Sequence, residues 1–239
     1  MVAGILPCEG RTGFVCCGGP ICPVGNQPPI SSRRSTSRWQ TPRVPIASHI
    51  STPDNLVWID LEMTGLDPLE DVILQAAVVI TTADLEPLDQ LAIDVAQPEE
   101  KLARMVPFVR EMHTRTGLLE RVRRSIIDVH QAERMLLERI VPRCPPPATL
   151  CGNSVWTDRR FVAGYMPALD KHLHYRLVDV STLKVLAQRW YGDASVFVKP
   201  AAGEHDALVD IKNSIEELRY YRGTLFRDAS GARSQSKPG

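Results

Sequence analysis

Residues 56–63 read Leu-Val-Trp-Ile-Asp-Leu-Glu-Met and run directly into Thr64-Gly65. The opening apolar run is typical of a buried β-strand. Because strand side chains alternate between faces, Asp60 and Glu62 should point the same way, about 7 Å apart. Two carboxylates on one face of an apolar strand are costly unless they meet water or a cation. This segment alone leaves an exposed strand end and a cation site as alternatives.

Two more apolar segments follow this strand within forty residues, at 72–81 and 91–96. An acidic loop with turn composition, 67–71, lies between the first strand and the segment at 72–81. Three strands in succession with short connections favour an antiparallel meander. After them the apolar period becomes helical over Val129–Val141, with Ser125 and Asp128 as possible caps.

The remaining segments indicate two βα units. Residues 149–151 and 177–180 have strand composition, and each precedes a helical pattern. A last helix is indicated by Ile211, Ile215 and Leu218. The sequence therefore predicts an α/β domain over residues 54–227, with a mixed five-stranded sheet made of a three-strand meander and two βα units, flanked by helices.

The equal totals of 28 basic and 28 acidic residues hide two unlike regions. Residues 1–53 contain five arginines, one glutamate and eight prolines, a net charge of +4, and residues 54–239 carry −4. We expect residues 1–53 and 228–239 to be disordered tails, because neither has a sustained apolar pattern. We expect a cytoplasmic protein, or a mitochondrial one if residues 1–53 are a transit peptide. No apolar run approaches the ~18 residues of a membrane helix, so we expect no membrane association.

Two later segments carry further acids and a histidine. Asp158 follows the strand at 149–151 in Gly152-Asn153-Ser154-Val155-Trp156-Thr157-Asp158, where it could simply be an acid favoured at a helix N-terminus. His205 stands five residues before Asp210. Both can face one site only if His205 lies at the loop junction, and Asp206 could instead cap the helix with Asp210 on the surface.

The order of these motifs resembles the DEDDh 3′→5′ exonucleases, and within them the oligoribonucleases. The resemblance runs from about residue 55 to 226 and is carried by three segments above all: Trp58 to Pro68, Cys151 to Phe161, and Asp179 to Lys184. It implies an RNase H-like fold and a hydrolase that releases nucleoside 5′-monophosphates from the 3′ ends of short oligoribonucleotides, dinucleotides to pentanucleotides. Two alternatives remain: an exonuclease of this superfamily that acts on longer RNA or DNA, and a catalytically inactive module that binds other proteins.

The resemblance also assigns the site residues. Asp60, Glu62, Asp158 and Asp210 would bind two divalent cations, Mg²⁺ or Mn²⁺, and His205 would be the general base. Leu66 would wedge between the two bases and Phe108 would stack on one of them. The 5′ phosphate would be held by Ser154, Ser181 and Lys184, together with His113, Tyr175 and Arg176 from the partner subunit of a homodimer.

Alternatives remain for several of these residues: Ser181 as a helix cap, Lys184 as a solvated charge, and Tyr175 and Arg176 as interface anchors. The sequence also departs from the family pattern. Gln75 and Phe108 stand where glutamate and tryptophan are usual, and Trp156 and Thr157 replace smaller or more polar residues. Gln75 is outside the metal-binding set, so we expect activity to be retained.

Overall fold

A computed structural model of the chain describes residues 54–199 and 205–226. The two predicted tails lie outside these ranges, so their disorder and any targeting role stay predictions. Among the described residues, no helix is both long and apolar enough to cross a bilayer.

The described part of the chain contains five strands and eight α-helices. The strands are β1 (Leu56–Met63), β2 (Ile73–Thr81), β3 (Pro87–Asp94), β4 (Ala148–Gly152) and β5 (Leu173–Asp179). The helices are α1 (Glu99–Ala103), α2 (Pro107–Arg115), α3 (Leu118–Arg124), α4 (Val129–Ile140), α5 (Trp156–Tyr165), α6 (Pro167–His172), α7 (Val180–Tyr191) and α8 (Ala207–Leu225). A 3₁₀ turn spans Asp193–Ser195.

The strands form one mixed sheet in the order β3-β2-β1-β4-β5. β1 and β2 are antiparallel, as are β2 and β3, whereas β1, β4 and β5 run parallel. The predicted fold, a meander followed by two βα units, is confirmed. The carboxyl ends of the three parallel strands therefore meet at one edge of the sheet, where open α/β sheets bind ligands.

β1 divides its side chains between two cores. Val57, Ile59 and Leu61 join the core under α4, α5 and α6. Trp58 joins the core under α7 and α8, and its indole N–H donates to Thr81 Oγ1 at 3.0 Å. Asp60 and Glu62 are the next residues on the same face of β1 as Trp58. The two carboxylates therefore lie on the face of the sheet that α8 covers.

Several predicted boundaries are wrong, for identifiable reasons. β3 begins at Pro87 rather than residue 91, because its first half is a polar edge that carries no apolar run. β5 begins at Leu173, four residues earlier than predicted, because this other edge strand is largely exposed. Helices α1 to α3 were not predicted, since they are short and bury one, no and three apolar residues respectively.

Of the predicted helix caps, the one for α4 is confirmed and the one for α7 is not. Asp128 caps α4 as predicted, in a capping box with Gln131. α7 begins at Val180 with Asp179 as its cap, so the alternative in which Ser181 is the helix cap is wrong. An aspartate that ends a strand satisfies the first amides of the helix before Ser181 is reached.

The capping box predicts the cost of removing Asp128. In Asp128→Ala, α4 loses the acceptor for the Gln131 amide, and the free energy of unfolding should fall by about 1 kcal/mol. Urea unfolding followed by circular dichroism measures this change. Glu138→Ala, on the exposed side of the same helix, should change stability by less than about 0.5 kcal/mol. Equal losses in the two variants would contradict the assignment of the cap.

Candidate active site

Asp60 and Glu62 end the Trp58 face of β1 beneath the first turn of α8. Glu62 is 8% exposed and lies opposite Gln75 of β2. Asp60 lies opposite Ala77, which belongs to the same core as Trp58. The exposed strand end considered from the sequence is therefore wrong, and Glu62 is held among protein atoms.

Asp158 reaches this site from α5. It is 6% exposed, and its Oδ1 accepts the backbone N–H of Leu61 at 2.9 Å, between the two acids of β1. It also lies in the first turn of its helix, so the helix-terminal position considered from the sequence is real. The contact with β1 shows that this position places the carboxylate in the site.

His205 and Asp210 join from the start of α8. Asp206 is the N-cap, with its side chain accepting the Val209 amide, as the sequence allowed. His205 precedes the cap with a φ of +66°, and its backbone N–H donates to Asp210 Oδ2 at 3.0 Å. This arrangement confirms the predicted loop junction and turns Asp210 inward.

The charges of these acids perturb one another. Burial, and then the charges of Asp158, Glu62 and Asp210, raise the pKa of Asp60 well above its ordinary value. Burial, with Asp210 and Asp158, raises the pKa of Glu62 to about 8. Burial raises the pKa of Asp158 to about 7, although the hydrogen bond from Leu61 opposes this. Acids so perturbed in a shared site are typical of functional centres.

The donor set suits a divalent cation. One ligand atom each from Glu62, His205 and Asp210 lie within 4.8 Å of one another. Clustered carboxylate oxygens are the donors that Mg²⁺ and Mn²⁺ prefer, and a cation would relieve the repulsion that raises these pKa values. The site is therefore a candidate divalent-metal centre.

Leu66 lies on a loop that polar contacts fix next to the site. The Asp71 carboxylate accepts the Thr64 hydroxyl at 2.9 Å and the Asp67 amide at 3.0 Å. A Cβ on Gly65 would lie 2.4 Å from Asp71 Oδ2, so only glycine fits without moving that carboxylate. Leu66 itself is 70% exposed, as an apolar wedge would need to be.

Ser154 and Ser181 are brought together by an aspartate that sequence reasoning missed. Asp179 Oδ1 accepts the Ser154 amide at 2.9 Å, the Ser181 amide at 2.9 Å and the Ser181 hydroxyl at 2.6 Å. Lys184 lies on the following turn of α7 and is half-buried. The position of Asp179, between a strand and a serine-containing helix start, was the available signal.

His113 is placed differently from the prediction. Its side chain has no exposed surface, its Nε2 lies 3.0 Å from the carbonyl oxygen of Met63, and its Nδ1 is 3.9 Å from Glu62 Oε2. A side chain buried in its own protomer cannot reach across an interface, so the expected contribution of His113 to the partner's site is wrong. Burial lowers the pKa of His113, which favours a neutral imidazole behind Glu62.

Tyr175 and Arg176 lie within β5, not beside a strand as the sequence suggested. β5 is an edge strand, and Tyr175 is 74% exposed there, stacked on His174 and beneath the Arg176 guanidinium, which is 5.0 Å from the ring centroid. Phe108 is 74% exposed in the first turn of α2. The structure brings neither Tyr175 nor Phe108 into contact with the carboxylates.

A buried group behind the carboxylates was also missed. Glu217 is fully buried in α8, where Oε2 accepts the Asn153 side-chain amide at 2.7 Å and lies 4.0 Å from Lys199 Nζ. The positive charge of Lys199 in turn lowers the pKa of Asp60. Lys199 therefore offsets part of the negative charge of the site.

Comparison with known proteins agrees with this geometry. An exonuclease family model matches residues 57–218. The oligoribonuclease of Mycobacterium sp. (strain KMS) is 49% identical over 177 residues, which cover 72% of this chain and 82% of that protein. The oligoribonuclease of Hahella chejuensis (strain KCTC 2396) is 47% identical over 183 residues, 74% of this chain and 98% of that protein. This chain belongs to the oligoribonuclease family of exonucleases.

Solved structures with lower sequence identity to this chain have the same fold. Exonuclease I from Methylocaldum szegediense has a TM-score of 0.53 at 18% identity, over 72% of this chain and 41% of that chain. The zinc-bound complex of E. coli exonuclease I with single-stranded DNA has a TM-score of 0.54 at 13% identity, with the same coverage. The RNase H-like fold is thereby confirmed.

The raised pKa values predict how stability changes with pH in EDTA. Glu62 and Asp158 bind protons more tightly in the folded protein than in the unfolded chain, so their protonation stabilises the fold. This stabilisation is fully present below their ordinary pKa values, 4.5 and 3.8, and is lost as the pH rises through about 8 and about 7. We expect the free energy of unfolding to fall on the order of 3 kcal/mol across this range. Urea titrations at successive pH values measure it.

Glu62→Gln is the matched control, because it removes one titrating carboxyl and should flatten the decline. Added Mn²⁺ at the alkaline end should restore stability, since the ion binds the folded site. An identical decline in Glu62→Gln would contradict the assignment.

Proposed function

We propose that this protein is a 3′→5′ exoribonuclease that hydrolyses dinucleotides to pentanucleotides of RNA to nucleoside 5′-monophosphates. The observation that carries the proposal is the cluster of four carboxylates, Asp60, Glu62, Asp158 and Asp210, which lies beside His205 at the carboxyl ends of the parallel strands. Oligoribonucleases at 47–49% identity support the substrate class.

The acids are proposed to hold two Mg²⁺ or Mn²⁺ ions. When bound, such a pair lowers the pKa of the attacking water and stabilises charge on the attacking and leaving oxygens of the phosphodiester. The protein's contribution is to keep the four carboxylates fixed and largely shielded from bulk water. The Leu61 amide holds Asp158, and the His205 amide holds Asp210.

His205 is proposed to accept the proton of the attacking water. An imidazole is suited to this step because its ordinary pKa is near neutrality. Its backbone, in the left-handed region and bonded to Asp210, ties the position of the base to that of a metal-binding carboxylate. Proton acceptor and ligand are thus fixed by the same turn.

The preference for short RNA is proposed to come from groups at both ends of the substrate. Leu66 would insert between the two bases and Phe108 would stack on one, both from exposed positions. Ser154, Ser181 and Lys184 would bind the 5′ phosphate, with the serines set by Asp179. A phosphate site close to the carboxylates favours short substrates over long ones.

We also propose a homodimer in which Tyr175 and Arg176 complete the phosphate site of the partner. Both residues lie on the open edge of the sheet and are exposed. An exposed tyrosine next to an arginine offers a hydroxyl and a guanidinium donor for a phosphate. The two-fold symmetry of such a dimer would make the contribution reciprocal.

The substrate assignment predicts a clear length preference. Purified protein with Mg²⁺ should convert a 5′-labelled diribonucleotide much faster than an RNA of about 20 residues, by at least about tenfold in kcat/KM, and EDTA should stop both reactions. Product separation by thin-layer chromatography measures the rates. Asp158→Ala should remove turnover without altering the dimer. Equal rates on both RNAs would point to a longer-substrate exonuclease, and no turnover of either to a silent module.

The shared site predicts complementation between two impaired variants. Asp158→Ala damages the carboxylates of a site, whereas Tyr175→Ala damages the phosphate contact that the other subunit gives to that site. A dimer with one subunit of each variant therefore has one intact site. After exchange of subunits at equal amounts, about a quarter of all sites should be intact. Turnover of a subsaturating dinucleotide should rise above the mean of the two variants. Asp158→Ala mixed with Asp60→Ala is the matched control and should show no gain. A monomer in light scattering would contradict the proposal.

A further inference from the structure

Gln75 lies between two acids in the middle of the sheet. The strand register pairs it with Glu62 of β1 on one side and with Asp94 of β3 on the other. Residues directly opposite on antiparallel strands share a face, with Cβ atoms roughly 5 Å apart. Gln75 is 3% exposed and Glu62 is 8% exposed, so a buried, uncharged residue separates the buried Glu62 from the half-buried Asp94.

Both polar atoms of the Gln75 amide have partners. Oε1 accepts the backbone N–H of Ala207 at 3.0 Å, and Nε2 donates to Asp94 Oδ1 at 2.8 Å. The amide orientation follows from chemistry, because a backbone N–H requires an acceptor and a carboxylate requires a donor. Ala207 is the first residue of α8 and is fully buried, so Gln75 binds the start of that helix to the sheet.

Arg121 closes this arrangement into a ring. Its Nε donates to Asp94 Oδ2 at 3.1 Å, and its Nη2 lies 3.6 Å from Asp206 Oδ2. Asp206 is the N-cap that precedes Ala207. The ring therefore fixes two consecutive residues of the turn that carries His205 on one side and Asp210 on the other.

We propose that Gln75 is a positioning residue for the active site, which sets His205 and Asp210 relative to Glu62 through the Ala207 amide. Its neutral amide is required because Asp94 occupies the next register position. This inference rests on the proposed function for the role of His205, and it concerns a residue that binds neither metal nor substrate.

The chemistry excludes simpler replacements at this position. A carboxylate at residue 75 would still accept the Ala207 amide, but no hydrogen would lie between it and the Asp94 carboxylate. It would also make three acids in a row across the sheet, at residues 62, 75 and 94. An apolar side chain would leave the buried Ala207 amide without an acceptor. A glutamate side chain at residue 75 becomes compatible only if residue 94 can donate.

This condition defines the test. In Gln75→Glu, kcat for the diribonucleotide should fall at least about tenfold with KM little changed, because the bases and the 5′ phosphate are held elsewhere. Gln75→Glu with Asp94→Asn restores every contact, since the amide introduced at residue 94 can donate to the new carboxylate and accept from Arg121. The double variant should regain kcat to within about twofold of the parent. Gln90→Glu, the same change on an exposed part of β3, should have no effect.

Two readouts do not depend on turnover. Protection of the Ala207 amide in hydrogen exchange, and Mn²⁺ affinity in calorimetry, should each fall about tenfold in Gln75→Glu and recover in the double variant. If the added charge acted only through its field, Mn²⁺ would bind Gln75→Glu more tightly, which would overturn the proposal. So would a double variant as impaired as the single one.

Gln75→Met serves if Gln75→Glu fails to fold. It removes both hydrogen bonds at similar volume, and it should lose Ala207 protection and kcat without rescue by Asp94→Asn. Rescue of Gln75→Met, or retention of full kcat, would contradict the proposal. An unsubstituted protein that cleaves no RNA would instead defeat the proposed function, and the exchange and Mn²⁺ measurements would still decide the role of Gln75.

Discussion

The desolvation and mutual repulsion of clustered carboxylates are the constraint on which the site depends. Burial, and then the charges of Asp158 and Asp210, raise the pKa values of both Asp60 and Glu62. Such a group is unfavourable for folding unless cations or protons neutralise it. The fold accepts this cost at the carboxyl ends of its parallel strands, while the rest of β1 remains an ordinary apolar core strand.

The donors around the acids show how their positions are maintained against that repulsion. Backbone amides donate to Asp158 and Asp210, so the main chain, which has few alternative conformations, fixes the positions of these two carboxylates. On the other side of Glu62, Gln75 and the buried, neutral His113 add no negative charge. Neutral groups next to charged ones leave the acids as the centre of negative potential in the site.

Sequence patterns predicted the parts of this molecule that depend on local rules. The alternation of β1 placed Asp60 and Glu62 on one face, and the loop junction at His205 was deduced from helix geometry. Partners distant in sequence were not predictable in this way. The burial of His113 against Met63 depends on how α2 packs, and the role of Asp179 on the approach of the chain after β4. Motif resemblance named His113, but it did not show that the side chain is buried.

The hydrogen bonds that assemble the site join distant parts of the chain: Leu61 and Asp158 are 97 positions apart, and Gln75 and Ala207 are 132 apart. No fragment that lacks α8 contains Asp210, so none contains all four carboxylates. During synthesis, the nuclease centre therefore comes into existence only when nearly the whole domain has left the ribosome.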